Sequence, residues 1–265
     1  TVIPAVDENG KLWTAQYIQK DGTKRFAKDG RKEGCFHPLG GLDAVAAAPV
    51  IVIAEGYATA STLASTLGHA TVAAFDSGNL PAVAKALHAK FPDKPIVIAG
   101  DDDRHQMMTH GTNAGRTKAL EAAKAVGGKA IFPTFAPGEA IYPENLPAVT
   151  PQAYRKHTQA AGELKSMISQ DGPSAGDPAQ SKRAAELKAE MLSDAQVTAL
   201  EKMKRLTDFN DLGTKSSLGS EGLERQVKNA VAKVIEQHQA KVKQPQHERV
   251  QGIDEKQQTR RAISR

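Results

Sequence analysis

Four short stretches between residues 50 and 133 are apolar with no polar alternation: Val50 to Ala54, Thr71 to Phe75, Ile96 to Gly100 and Ala130 to Pro133. Unbroken runs rich in β-branched residues predict strands covered on both faces, as in a parallel α/β sheet. Between them the spacing predicts helices near Tyr57 to Leu67, Leu80 to Phe91 and Asn113 to Val126, with Gly68 and Gly127-Gly128 as stops. Strand, helix, strand, helix is the repeating unit of a parallel sheet flanked by helices. Residues 49–137 are therefore expected to form an α/β core.

The pattern changes on either side. Residues 1–48 read as a β-rich, basic subdomain. Asp7-Glu8-Asn9-Gly10 is a turn signal between Val2-Ile3 and Leu12 to Ile18, and Lys20-Asp21-Gly22-Thr23 is a second turn before Lys24-Arg25-Phe26. Residues 138–206 read as a linker and helical insertion. Several prolines break its first part, Asp171 to Pro178 reads as a flexible linker, and Ser181 to Leu206 reads as one highly charged amphipathic helix. Residues 207–240 hold an acidic return motif, Asp208-Phe209-Asn210-Asp211-Leu212, and a helix from Leu223 to Gln239 with Leu223, Val227, Val231 and Val234 on one face. Residues 241–265 carry seven Lys or Arg against three acidic residues and read as a disordered or partner-binding tail.

Composition narrows the class. At 265 residues and 40% hydrophobic content, the chain is long enough for one large domain or two small ones. The net charge of +5 permits nucleic-acid binding without requiring it. Six basic residues against two acidic ones lie between Lys20 and Lys32, flanked by Trp13, Tyr17 and Phe26. That ribbon fits a nucleic-acid strand or a triphosphate, with Lys24, Arg25, Arg31 and Lys32 as the contacts. The single cysteine, Cys35, excludes an intrachain disulfide and a Cys-rich zinc site. No apolar run approaches a membrane span, and the N-terminus shows no signal pattern. The chain reads as cytoplasmic. Its start at Thr1 is expected of a fragment, with further domains of a longer parent chain as partners.

The chemistry gathers at strand ends. The first core strand runs out in Glu55-Gly56 and the third in Asp101-Asp102-Asp103. Ligands of such sheets gather at the carboxyl ends of strands. Two separate pieces of chain thus bring hard oxygen ligands to one edge, a way to hold Mg²⁺ against phosphates, with Mn²⁺ as a substitute. Arg104, Arg116 and Lys118 follow as phosphate partners, and Asn113 is placed to cap the next helix. Asp76 is placed either to cap the helix from Leu80 or to line the cleft.

Ile51-Val52-Ile53-Ala54-Glu55-Gly56-Tyr57, taken with Ile98-Ala99-Gly100-Asp101-Asp102-Asp103-Arg104, resembles the Toprim fold of bacterial-type primases, topoisomerases and some nucleases. The resemblance extends to plasmid-encoded conjugation primases. It is carried there by Gly22-Thr23-Lys24-Arg25-Phe26, Gly34-Cys35-Phe36-His37-Pro38, Asp76-Ser77-Gly78-Asn79-Leu80 and Asp208-Phe209-Asn210-Asp211-Leu212. It covers roughly residues 1–137 and 207–213.

The resemblance implies that Glu55 acts as metal ligand or acid/base, and that Asp101 and Asp103 bind Mg²⁺. Asp208 and Asp211 would add a third acidic cluster, or else Asp208 caps the next turn through its side chain and Asp211 is solvated; Asp102 is expected to point away from its neighbours and serve the fold or a water. Two departures stand out. Chromosomal primases resemble Glu-Gly-x-x-Asp at the first motif, but position 59 is Thr, as in the conjugation group. The loop from Arg104 to Gly111, which holds His105 and His110, is long for the family.

The implied function is Mg²⁺-dependent nucleotidyl transfer: a primase fragment making short primers from nucleoside triphosphates on single-stranded DNA, in plasmid conjugation and replication. Two alternatives accompany it. One is a non-catalytic nucleic-acid-binding or interaction module of a larger transfer protein. The other is a strand-cleaving Toprim nuclease or topoisomerase-like fragment, although none of the four tyrosines matches a topoisomerase nucleophile. A P-loop motor is excluded because Gly213-Thr214-Lys215-Ser216 lacks the upstream glycine, and no Gly-x-Ser-x-Gly elbow is present.

Overall fold

The structure, a computed structural model, describes residues 1–170 and 178–263. The expected linker from Asp171 to Pro178 therefore falls almost wholly outside the described residues. The α/β core has the fold class anticipated. Strands β5 (Ile51–Ala54), β6 (Val72–Ala73), β7 (Ile96–Ala99) and β8 (Lys129–Ile131) pair in parallel, and β4 (His37–Pro38) closes the edge antiparallel, giving the order β4-β6-β5-β7-β8.

Alternation along each strand explains why both faces had to be apolar. Ile51 and Ile53 of β5, with Ile96 and Ile98 of β7, enter one cluster together with Val83 and Leu87 of helix α3 (Leu80–Lys90) and Ala119 and Ala122 of α5 (Ala114–Ala125). Val52, Ala54, Val97 and Ala99 point the other way. They meet Ala60 and Leu63 of α2 (Tyr57–Leu67), Phe209 and Leu212 of α9 (Phe209–Thr214), and Leu223 and Val227 of α10 (Gly219–Ile263). A side-chain period of two sends successive residues to opposite faces, so only a continuous apolar run satisfies a sheet covered on both sides.

The N-terminal segment forms its own antiparallel sheet of β1 (Val2–Val6), β2 (Leu12–Ile18) and β3 (Lys24–Phe26). A bridge between Val6 and Phe36 joins it to the core. Phe26 packs edge-on against Phe75, with ring centroids 5.1 Å apart. Phe75 holds a left-handed backbone at φ 75° as the chain leaves β6, a conformation that a bulky residue adopts only where its surroundings fix it.

Several expectations are corrected. The stretch 104–111 is helix α4 (Arg104–His110), ended by Gly111, rather than an extended loop. Pro151 opens a 20-residue helix, α6 (Pro151–Gln170), because a proline in the first turn lacks only a donor that has no helical partner anyway. The single helix expected over 181–206 is two, α7 (Pro178–Glu190) and α8 (Asp194–Lys204). Ser193 breaks it with a capping box: its side chain accepts from the Gln196 amide while the Gln196 side chain accepts from the Ser193 amide. Residues 42–47, unassigned by pattern, form the short helix α1 (Leu42–Ala47). Helix α10 carries the backbone through residues 241–263.

Candidate active site

The register of the sheet places the acidic residues. Ile51 pairs with Ile96 and Ala54 with Ala99, so Glu55 leaves β5 level with Gly100, one residue before Asp101. Two glycines allow the chain to close there. A Cβ on Gly100 would lie 2.5 Å from the Ala119 Cβ and 2.6 Å from the Phe132 ring, and one on Gly115 would lie 3.0 Å from the Asp101 carbonyl oxygen. Helix α5 can thus seat directly behind the acidic turn.

Glu55 Oε2 and Asp101 Oδ1 are buried without a hydrogen-bond partner. Buried carboxylate oxygens are almost always satisfied, so two orphans on neighbouring carboxylates point to a ligand the fold is built to receive. Burial first, then the charges of Asp103 and Asp76, push the Glu55 carboxyl up to about 7, against the opposing Ser77 amide and Lys24. Asp101 is raised well above the ordinary carboxylate range by burial and by Glu55, Asp208, Asp103 and Asp211. Asp103 is raised by burial, with His105 opposing. Like charges crowded in a dry site repel, and a cation relieves that repulsion.

The remaining acidic residues divide. Asp102, only 4% exposed, is fully engaged in the fold: Oδ2 accepts from Arg104 Nε at 2.8 Å and faces Arg116 at 3.3 Å, and Oδ1 accepts from Asn113 Nδ2 at 2.9 Å. Asp208 caps α9 through the Asp211 amide at 2.7 Å and accepts from the Thr59 hydroxyl at 3.0 Å. Burial raises its pKa, with Asp211 adding to the rise. Thr59 at this place thus supplies a donor to a neighbouring carboxylate instead of a further negative charge. Asp211 is buried rather than solvated: it accepts from the Thr207 amide at 3.1 Å and pairs with Lys215, which leaves it partnered.

Among the described residues no three Asp, Glu, His or Cys side chains are gathered into a ready metal cage. The donor set still fits Mg²⁺, which binds through one or two carboxylates and completes its shell with water and substrate phosphates. Glu55 and Asp101 carry the free oxygens for this, with Asp103 beside them. His105 and His110 take part in no three-ligand group among the described residues: His105 Nδ1 is buried without a partner, while His110 Nδ1 contacts the Thr109 hydroxyl at 2.7 Å and its ring faces Tyr154.

The basic residues also separate. The Lys24 ammonium reaches the site, 3.8 Å from where a Cβ on Gly56 would stand. Arg25, its neighbour on β3, is exposed and by alternation faces the other side of the small sheet. Arg31 stacks on Trp13, with its guanidinium carbon 4.6 Å from the ring centroid, and Lys32 pairs with Asp76. Arg104 and Arg116 sit on Asp102, and Lys118 pairs with Glu121 on the exposed face of α5. Asp76 does not cap the helix from Leu80, whose N-cap is Asn79: it caps the 3-10 turn Ser77–Asn79 by accepting from the Asn79 amide at 3.1 Å, and its charge acts on Glu55.

Asn79 is the residue whose weight the sequence hid. Buried, it accepts from the Gly34 amide at 2.8 Å and donates to the carbonyls of Cys35 and Ala74, each at 2.8 Å, tying the basic 31–35 segment to the end of β6. Its only sequence signal was its place in Asp76-Ser77-Gly78-Asn79, where it reads as turn chemistry.

Residues 50–136 match the Toprim domain family. Over nearly its whole length the chain is homologous to proteins named DNA primase TraC from Escherichia coli. It is 59% identical to one over 263 residues, covering 98% of this chain and 24% of that protein. It is 62% identical to another over 242 residues, covering 90% of this chain and 16% of that protein. The chain thus spans a quarter or less of the relatives it matches. Among solved structures, a DNA primase domain from Pseudomonas aeruginosa aligns over 86% of this chain and 71% of its own, at 18% identity and TM-score 0.35.

Proposed function

We propose that this chain is the catalytic fragment of a DNA primase, joining nucleoside triphosphates into short primers on single-stranded DNA in a plasmid transfer setting. The observation that carries the reading is the pair of buried, unpartnered carboxylate oxygens on Glu55 and Asp101, set at the edge of a Toprim sheet. The identity to DNA primase TraC supports it. When bound, Mg²⁺ would polarise the α-phosphate and stabilise the charge of the departing pyrophosphate. Glu55, Asp101 and Asp103 would hold it. Asp208 adds negative charge behind Asp101, and Asp102 fixes the turn through Arg104, Arg116 and Asn113. Lys24, across the cleft beside Gly56, is placed to meet a phosphate and to cancel part of the acidic field.

The test is template-directed synthesis on single-stranded DNA with labelled NTPs, with and without Mg²⁺. Glu55→Gln and Asp101→Asn are each expected to reduce product by more than about 100-fold, since each removes a charge that stabilises the transferring group, while single-stranded DNA binding stays within about twofold. Synthesis at wild-type level in a folded Glu55→Gln protein would remove the assignment. Binding without any synthesis by the wild type would favour a non-catalytic module.

A further inference from the structure

Two cavities open beside the acidic turn on the side of the helical insertion. One, of about 410 Å³, lies between α4, the 140–142 segment and α8, with Arg104 and Arg116 at its rim. The other, of about 370 Å³, carries Lys202, Arg205 and Lys215. Ala140, Ile141 and Met203 line both, so the two cavities adjoin across a shared wall in which Ala140 and Met203 are buried and Ile141 is exposed, and together they make up one groove-like surface.

The floor is apolar where it meets solvent: Met107 is 51% and Ile141 54% exposed. Singly exposed apolar side chains are ordinary, but Met107 and Ile141 border one cavity together with Met108 and Tyr142, and a gathered apolar patch is what a binding surface presents. The rim carries five cations, of which Arg104 and Arg116 share Asp102 and Lys215 pairs with Asp211, leaving the exposed Lys202 and Arg205 as its uncommitted charges; one acidic residue, Glu139, lines it. That carboxylate is already engaged by the Ser216 hydroxyl and the Ser217 amide. The groove begins at Arg104 and Arg116, which sit on Asp102 between the two candidate metal-binding aspartates.

An apolar floor under a positive rim, leading away from a phosphoryl-transfer edge, matches what a single nucleic-acid strand requires: flat surfaces for bases and cations for phosphates. We propose that this groove, built by the insertion and not by the basic N-terminal sheet, is a second track for single-stranded nucleic acid and carries the template strand past the catalytic edge. Met107, Ile141 and Tyr142 face the bases, and Arg205 and Lys202 neutralise the backbone beyond Arg104 and Arg116. The template assignment rests on the primase reading. The strand-binding assignment stands without it.

The experiment uses the whole chain and a labelled 30-nucleotide single-stranded DNA, with affinity read across a salt series and primer synthesis read on the same preparations. Lys202→Gln with Arg205→Gln removes two exposed cations, so thermal stability should stay at the wild-type level. Affinity should fall on the order of tenfold near 0.1 M salt, and the slope of log affinity against log salt should fall by about 1.4. A photo-crosslinking residue replacing Ile141 should label the DNA. Unchanged affinity and slope would overturn the proposal. So would a crosslink that forms only to another protein, which would make the groove a docking face between proteins. If the wild type makes no primers but the double variant still loses affinity, the primase reading fails and the groove stands. If primers are made and the variant binds normally, the groove fails and the primase reading stands.

Discussion

A buried carboxylate oxygen with no partner costs stability that its function returns. Glu55 is the clearest case, with its carboxyl raised from the ordinary 4.5 to about 7. An acid whose pKa is higher in the fold than in the unfolded chain makes the fold bind more protons between those two values. Its contribution is therefore fully present below about 4.5 and lost as pH rises through about 7. Asp101, Asp103 and Asp208 are raised too and act in the same direction. His37 and His105, held below their ordinary pKa by burial, act the opposite way over the same window, so the acidic edge is read by difference: in denaturant titrations of the metal-free protein, the wild type should lose more stability than Glu55→Gln between pH 5 and pH 8. Glu55→Gln should recover about 1–3 kcal/mol of it at pH 8, after allowing for solvent screening of a partly exposed group. Added Mg²⁺ should stabilise the wild type at pH 8 more than the variant. The same pH dependence in wild type and variant would mean that the acidic edge is not under repulsion. Thr59 and Asn79 make the complementary point. Both are ordinary residues by type, and both take their roles from partners far away in sequence, Asp208 for one and Gly34 for the other.

Elements depend on a few local devices. The Ser193 box separates α7 from α8 and so turns α8 to present Met203 to the groove, with Lys202 beside it at the rim. Ser193→Ala should lower stability by about 1 kcal/mol, as loss of a helix cap does, readable as a shift in the thermal midpoint. No shift would mean that the helix break is held by packing instead. Strands β5 and β7 needed no such devices, because their ends follow from apolar runs stopping before Glu55 and Asp101, whereas β6 is only Val72–Ala73 of the expected 71–75 and β8 is Lys129–Ile131 rather than 130–133. Helices α4 and α6 were harder to read. His105, His110 and the two methionines of α4 resemble loop chemistry in isolation, and α4 forms where it can pack on α6 and α8. Proline clusters before α6 read as breakers, yet Pro151 is tolerated at a first turn.

At the scale of the molecule, two sheets share one site. The small N-terminal sheet is fixed to the core by the Val6–Phe36 bridge, the Phe26–Phe75 contact and Asn79, and this sets Lys24 over the acidic edge. Lys24→Gln should weaken nucleotide use more than folding. The expected result is a several-fold rise in KM for NTP, the loss of one partly screened charge–phosphate contact, with the thermal midpoint within about a degree of wild type because the side chain is exposed. Arg25→Gln, on the opposite face of the same strand, should leave that KM unchanged. Equal effects from the two would show that the ribbon acts through its overall charge and not through this placement.

The parallel sheet, its two apolar faces, the three main helices between its strands and the acidic strand ends were all determined by local sequence. Periodicity and strand-end chemistry depend on neighbours a few residues apart. Which of the acidic residues stay free was decided only by the tertiary structure. Asp102 and Asp211 are carboxylates like Asp101, but Arg104, Arg116 and Asn113 engage one, and Thr207 and Lys215 the other. The same holds for the cations, where Trp13, Asp76 and Glu121 occupy Arg31, Lys32 and Lys118 while Lys24 reaches the site. A charge is available only when nothing nearer in space has paired with it, and distance in space is what the order of residues does not state.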